Sequence, residues 1–157
     1  MLTNDIKTYI EKSVLCWLAT VDKDGQPNVS PKEIFAYSGD TTLLIAHIAS
    51  PGTLANLKEN PKVCVSFVDV FIQKGYKIKG TAKILKKKDP SFLEKSQLLK
   101  ERFTDRFPIS AVVEISVTGV EPIQAPSYVF FPDTTTENDQ IESALKTYGV
   151  SQMVKED

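Results

Sequence analysis

Apolar positions along the chain follow two periods. Ile6, Tyr9 and Ile10 recur at helical spacing behind Thr3, a capping residue type, and predict a helix that runs to Ser13. From Val14 to Val21 the pattern becomes strand-like. Asp22-Lys23-Asp24-Gly25 has turn composition, with Gly25 free to take positive φ. Pro27 to Tyr37 reads as a second strand. Ser38-Gly39-Asp40 turns again, and Thr41 to Ile48 forms a third. Loops this short predict a β-meander.

Beyond Ser50, Leu54, Leu57 and Lys58 keep helical spacing until Asn60-Pro61 stops them. Val63 to Ile72 is apolar on both faces, which predicts a strand central to a closed sheet or lodged in an interface. Lys74 to Lys86 alternates: Tyr76, Ile78, Ala82 and Ile84 face one way, while Lys77, Lys79, Thr81 and Lys83 face the other. Asp89-Pro90 predicts the start of a helix that ends near Arg106. Ala111 to Val120 predicts a last long strand. Pro122, Pro126 and Pro132 break up the segment after that strand, and Asn138 to Tyr148 predicts a short amphipathic helix. Six antiparallel strands with helices at the crossings predict a mainly β protein, a small barrel with flanking helices. Strict βαβ alternation, GxGxxG and GxxxxGK[ST] are all absent, which argues against a parallel nucleotide-binding sheet.

The length of 157 residues suits one domain, with a barrel core over 14–122 and a C-terminal extension over 123–157. Lysine and arginine number 19 against 20 acidic residues, a net charge of −1, so no overall field calls for nucleic acid or an anionic membrane. The opening MLTNDIKTYIEKS lacks the pattern of a signal peptide, and no run approaches the roughly 20 apolar residues of a membrane span. Cys16 and Cys64 both sit in apolar strand-like runs and read as small buried hydrophobes, although their spacing does not exclude a disulfide. The expected location is the cytoplasm.

Side-chain chemistry is scarce. Two cysteines and one histidine cannot supply the four ligands of a structural zinc site, so no metal is expected. The single histidine, His47, falls in mid-strand with no elbow-type serine near it, and reads as a polar residue lining a pocket or barrel face. Any redox chemistry would have to come from a cofactor. Ser50-Pro51-Gly52-Thr53 stands at the joint of third strand and helix. One reading is an ordinary helix start, with Ser50 capping and Pro51 at the first position. The other is a phosphate seat: helix-start amides lack partners and carry partial positive charge, Gly52 admits a bulky group, and Thr53 adds a hydroxyl.

Over the full length, the order of three segments resembles the flavin-binding split-barrel family that includes pyridoxamine-phosphate oxidase. These are NVSPKEIF, then LLIAHIASPGTLANLKENPKVCVSF with its run Asn56-Leu57-Lys58-Glu59-Asn60-Pro61-Lys62-Val63, then KGYKIKGTAKI; the turn-strand signature Asp24-Gly25-Gln26-Pro27-Asn28-Val29-Ser30-Pro31 also matches. The similar part spans about Val14 to Leu85, with Ile109 to Val120 fitting the last barrel strand. The resemblance implies a six-stranded antiparallel split barrel of Greek-key type that binds FMN and acts as an oxidoreductase on a small molecule. A non-catalytic flavin binder is the alternative. It also implies a homodimer with cofactor sites at the interface. By position, Ser50 and Thr53 would hold the FMN phosphate, with Asn56 close behind. Pro31, Lys32 and Glu33 would line the ring edge, and Ala46 and His47 would flank the ring or ribityl chain. Gln73 and Lys74 would reach in from the neighbouring subunit. Relatives carry Arg or Lys in the phosphate loop where this chain has Gly52 and Thr53, so the cations must come from elsewhere: Lys32, Lys74 and Lys77 are the candidates. The C-terminal region lacks the Arg and Trp that pyridoxamine-phosphate oxidation needs in the family. Trp17 reads as core or interface, and Tyr128, Phe130 and Phe131 either pack in the core or cover the dimer seam.

Overall fold

The computed structural model describes residues 1–150. The chain runs α1 (Asn4–Lys12), β1 (Cys16–Val21), β2 (Pro27–Lys32), β3 (Phe35–Ser38), β4 (Thr42–His47), α2 (Pro51–Glu59), β5 (Lys62–Asp69), β6 (Lys74–Lys86), α3 (Phe92–Arg102), β7 (Ala111–Gln124), α4 (Pro126–Phe130) and α5 (Glu137–Tyr148). One antiparallel sheet has the order β2-β1-β5-β6-β7-β4-β3. There are seven strands rather than six because the run from Pro27 to Tyr37 breaks at Glu33-Ile34. Its two halves, β2 and β3, lie at opposite ends of the sheet order and are joined by that two-residue corner. The corner closes the sheet into a barrel, and closure removes most exposed edges.

The barrel interior holds Leu18, Phe35, Leu43, Ile45, Val65, Phe67, Ile78 and Ile115, with Leu2, Ile6 and Ile10 of the α1 region packed on them. A second core fills the space between the outer face of β4 and α3. Ala36, Leu44, Ala46 and Val112 meet Phe92 and Leu99 there. The strand buried on both faces is therefore β4, Leu43 to His47. The apolar pattern places it instead at Val63–Ile72. That strand ends at Asp69, its inner residues Val63, Val65 and Phe67 are buried, and its outer face is only partly covered. Val68, Val70 and Phe71 stay partly exposed beside the end of α5, where the Phe71 and Tyr148 rings meet edge to face at 6.4 Å.

Other boundaries differ from the sequence pattern for local reasons. Asp89 does not open α3; its carboxylate accepts the Lys86 amide at 2.6 Å, a turn that delays the helix to Phe92. β7 continues through Pro122 to Gln124 because β4 pairs only as far as Ser116, after which β7 is an edge that tolerates proline. Gly80 marks the register shift between β6 and β7, where a Cβ would meet the Ser116 carbonyl oxygen at 2.6 Å. Residues 151–157 of the expected C-terminal extension lie outside the described residues.

Candidate functional site

The site is built where α2 begins. On β2, Asn28, Ser30 and Lys32 share one face, and Ser30 and Lys32 pair opposite Leu18 and Cys16. Leu18 and Cys16 point into the barrel, so Ser30 and Lys32 point to its mouth. His47 is in phase with Leu43 and Ile45 and reaches the same mouth from β4. Asn56 ties α2 down from further along, donating from Nδ2 to Thr20 Oγ1 at 3.0 Å.

These elements bring Lys32 Nζ to 2.6 Å from Ser50 Oγ, with Ser30 Oγ 3.3 Å from the same oxygen. Ser50 stands at the N-cap position with Pro51 behind it, but it makes no side-chain cap bond, and its hydroxyl accepts from Lys32 instead. The first amides of α2 are left without that cap. Pro51 has no amide to leave unpaired, and Gly52 opens onto free space, with nothing within 4 Å of a Cβ built there. Thr53 is 2% exposed and His47 and Lys32 each 7%. Among the described residues, Thr53 Oγ1 and His47 Nδ1 have no hydrogen-bond partner, and Lys32 pairs with no carboxylate.

Such an arrangement is electrostatically incomplete. A buried ammonium stands beside the positive end of a helix, and two buried polar atoms lack partners. Each would be costly without a partner, and the ammonium without a counter-charge. Burial lowers the Lys32 pKa below the usual lysine value, with the neighbouring Cys16 acting the other way. Burial first, and then the Lys32 charge, lower the His47 pKa below the ordinary histidine value. Burial also pushes the Cys16 thiol up. A doubly negative phosphate would answer every one of these deficits: amides at Gly52 and Thr53, the Thr53 hydroxyl, the Lys32 ammonium and the His47 ring.

The structure thus brings Lys32 and Ser50 of the expected site into contact, with His47 within reach of the Lys32 charge and Thr53 buried in the first turn of α2. It separates others from it. Asn56 donates its amide to Thr20 and acts as a tether. Pro31 and Glu33 are exposed, Pro31 opposite Trp17 and Glu33 in the corner between β2 and β3. Ala46 is buried in the second core beside α3. Gln73 takes φ 56° in the β5–β6 turn, where its carbonyl accepts the Ala125 amide. Lys74 donates to Glu137 at 2.7 Å and lies over the Tyr128 ring at 4.4 Å. Lys77 pairs with Glu121. Of the three candidate cations, Lys32 touches Ser50, while Lys74 and Lys77 pair with carboxylates. Ser30 and Cys16 were missed, although the alternation along Asn28, Ser30 and Lys32 would have found Ser30.

A second feature is a cleft of about 640 Å³ beside α1, bordered by the apolar Val14, Trp17, Val68, Val70 and Phe71 and rimmed by the charged Asp5, Lys12, Asp69 and Glu137. Trp17 is 44% exposed there, not core. Tyr128 donates to the Ile72 carbonyl at 2.8 Å, while Phe130 and Phe131 are exposed. Among the described residues, no group of His, Cys, Asp and Glu is placed to hold a metal, and no helix is long and apolar enough to cross a membrane.

Residues 2–129 match the family model described as pyridoxamine 5'-phosphate oxidase. Among solved structures, the chain is similar to HupZ of Group A Streptococcus. Identity is 29% over 80% of this chain and 96% of that one, with a TM-score of 0.68. It is similar to an FMN-binding protein of Syntrophomonas wolfei at 19% identity, over 79% of this chain and 87% of that one, TM-score 0.68. It is also similar to HutZ, the heme storage protein of Vibrio cholerae, at 23% identity over 78% and 94%, TM-score 0.62. The last two likenesses show a shared fold. No curated protein matches the chain.

Proposed function

The chain belongs to the pyridoxamine 5'-phosphate oxidase family, and from that premise we propose that it binds FMN and works as a flavin-dependent oxidoreductase on a small substrate. The observation that carries the reading is the incomplete seat at α2: a buried lysine with no carboxylate, and two buried polar atoms with no partner among the described residues. Lys32, Ser50, Thr53 and His47 would hold the phosphate. The flavin, when bound, would supply hydride transfer. The chain's own residues fix the phosphate, orient the rest of the molecule from that anchor and exclude water from the barrel mouth.

The reading includes a homodimer. The partly exposed apolar cluster of Trp17, Val68, Val70 and Phe71, ringed by charged residues, has the make-up of an interface core with a polar rim. Gln73 and Lys74 lie beside this cluster and make their own contacts away from α2, so they would serve the partner's cofactor rather than their own. Both cysteines are free, which fits a reducing compartment such as the cytoplasm.

A non-catalytic flavin carrier or store is the second reading. One consequence of the proposed seat favours it: with Lys32 and His47 both given to the phosphate, neither would be left for proton transfer to a substrate. The decisive measurement is FMN titration followed by flavin fluorescence and absorption. Saturable quenching is expected, with riboflavin binding far more weakly. Equal binding of FMN and riboflavin, or of neither, would overturn the phosphate seat. Anaerobic turnover with nicotinamide donors and organic acceptors then separates enzyme from carrier.

A further inference from the structure

We infer that His47 is the second cation of the seat, that it is charged only when the seat is filled, and that it thereby selects a phosphate monoester over a diester. The inference rests on the phosphate reading above and adds which charge state the seat accepts.

His47 reaches the barrel mouth from β4, on the face it shares with Leu43 and Ile45. Its backbone is pinned, the carbonyl accepting from both the amide (3.0 Å) and the hydroxyl (2.9 Å) of Ser110. The residue is more than nine-tenths buried, and Nδ1 has no partner among the described residues. The groups around it are few. β2 contributes Lys32, the one charged group acting on it, with the Cys16 thiol of β1 beyond. β7 and the residues leading into it contribute Ile109, Ser110 and Ala111, none of them ionisable. α2 begins with Ser50, Pro51, Gly52 and Thr53, again none ionisable. From the β2–β3 corner, Glu33 is exposed.

Without a ligand, the ring stays neutral, because a second cation would be buried beside Lys32. A phosphate monoester brings two negative charges near neutral pH. Lys32 balances one. The second makes protonation of His47 favourable, the proton coming from solvent, and both ring nitrogens become donors. A diester brings one charge, which Lys32 already balances, so His47 has no cause to protonate. FMN binding would take up a proton, and affinity would rise as pH falls toward neutrality.

His47 is the only histidine in the chain, so its ring resonances report the titration in the unaltered protein. NMR titration of the full chain, cleared of any tag, is run alone, with FMN and with the 5'-methyl ester of FMN. Calorimetry of FMN binding at pH 7.5 in buffers of different ionisation enthalpy counts protons, with His47→Asn and His47→Gln as comparisons. The expected result is that FMN raises the His47 titration midpoint by about one pH unit or more, a tenfold change in proton affinity. The methyl ester should leave it unmoved, and proton uptake should vanish in the variants. If FMN binds far more tightly than riboflavin but the midpoint stays where it was, His47 is a bystander and the phosphate seat survives. If FMN and riboflavin bind alike, the seat falls and this inference falls with it.

Discussion

Lysines occupy two regions of this barrel under opposite conditions. On the outer face of β6, Lys77 and Lys79 share Glu121, which they hold down to about 2, and all three side chains are at least two-fifths exposed. At the barrel mouth, Lys32 is buried, faces a hydroxyl instead of a carboxylate, and stands beside a helix N-terminus. The first group is satisfied by the chain and by water, and exposed pairs of that kind contribute little. The second is satisfied by neither. A charge left without a counter-charge inside a fold points to something the fold was built to receive.

The strongest way to break the contrast is to satisfy the mouth from within. Gly52 is exposed, and a side chain there meets nothing. Gly52→Glu places a carboxylate in the first turn of α2, where it can reach the free amides and Lys32. Removing a helical glycine and adding an N-terminal acid should stabilise the ligand-free protein by about 1 kcal/mol. FMN binding should fall by about a hundredfold or more, because the anion seat is already filled and like charge repels the phosphate. Thermal unfolding and FMN titration on the same preparation measure both. Unchanged FMN affinity would place the phosphate elsewhere.

Lys32→Met should have the next largest effect. Losing a charge-assisted contact to phosphate should weaken FMN by about 2 kcal/mol, roughly thirtyfold. The ligand-free protein should gain about 1 kcal/mol, since a buried cation is replaced by an apolar chain of similar length. The pH dependence has a definite sign. The folded pKa of Lys32 lies below the usual lysine value, so between the two the unfolded chain binds more protons. The penalty is fully present below the folded pKa and fades as pH rises through that window. The melting-temperature gap between variant and wild type should therefore be widest near pH 7 and narrow toward pH 10. A gap that stays constant would mean that Lys32 carries no burial penalty.

How far the sequence revealed these regions depends on whether the relevant forces are local. Turns such as Asp22–Gly25 and the alternation of Lys74–Lys86 were readable, because turn chemistry and face preference act over a few residues. The break at Glu33-Ile34 was not, since it is set by barrel closure and no glycine or proline marks it. The apolar faces of Val63–Ile72 mark a strand central to the sheet, which β5 is, between β1 and β6; that α3 covers β4 instead is a tertiary fact the local pattern does not carry. The seat at Ser50 was legible as two alternatives. What the local pattern could not show is the side chain of Lys32, arriving from 18 residues away in sequence to 2.6 Å, which is the contact that favours the phosphate seat.

Lys74 sharpens the comparison because it belongs to neither extreme. It is paired with Glu137, which lines the cleft through which the proposed partner would approach. If it serves the partner's cofactor, it exchanges one anion for another. Lys74→Ala should then cost about 1 kcal/mol of FMN affinity, near fivefold and less than Lys32→Met, while Lys79→Ala should cost nothing measurable. Mixing the two weakened proteins tests whether the site is shared. In a mixed dimer, one site combines the intact Lys32 of one protomer with the intact Lys74 of the other. The second site carries both substitutions. Random exchange of a twofold dimer makes half the dimers mixed, so about a quarter of all sites should recover wild-type affinity. If Lys74 served its own chain's site, every site in the mixture would carry one of the two substitutions, and no tight-binding fraction would appear.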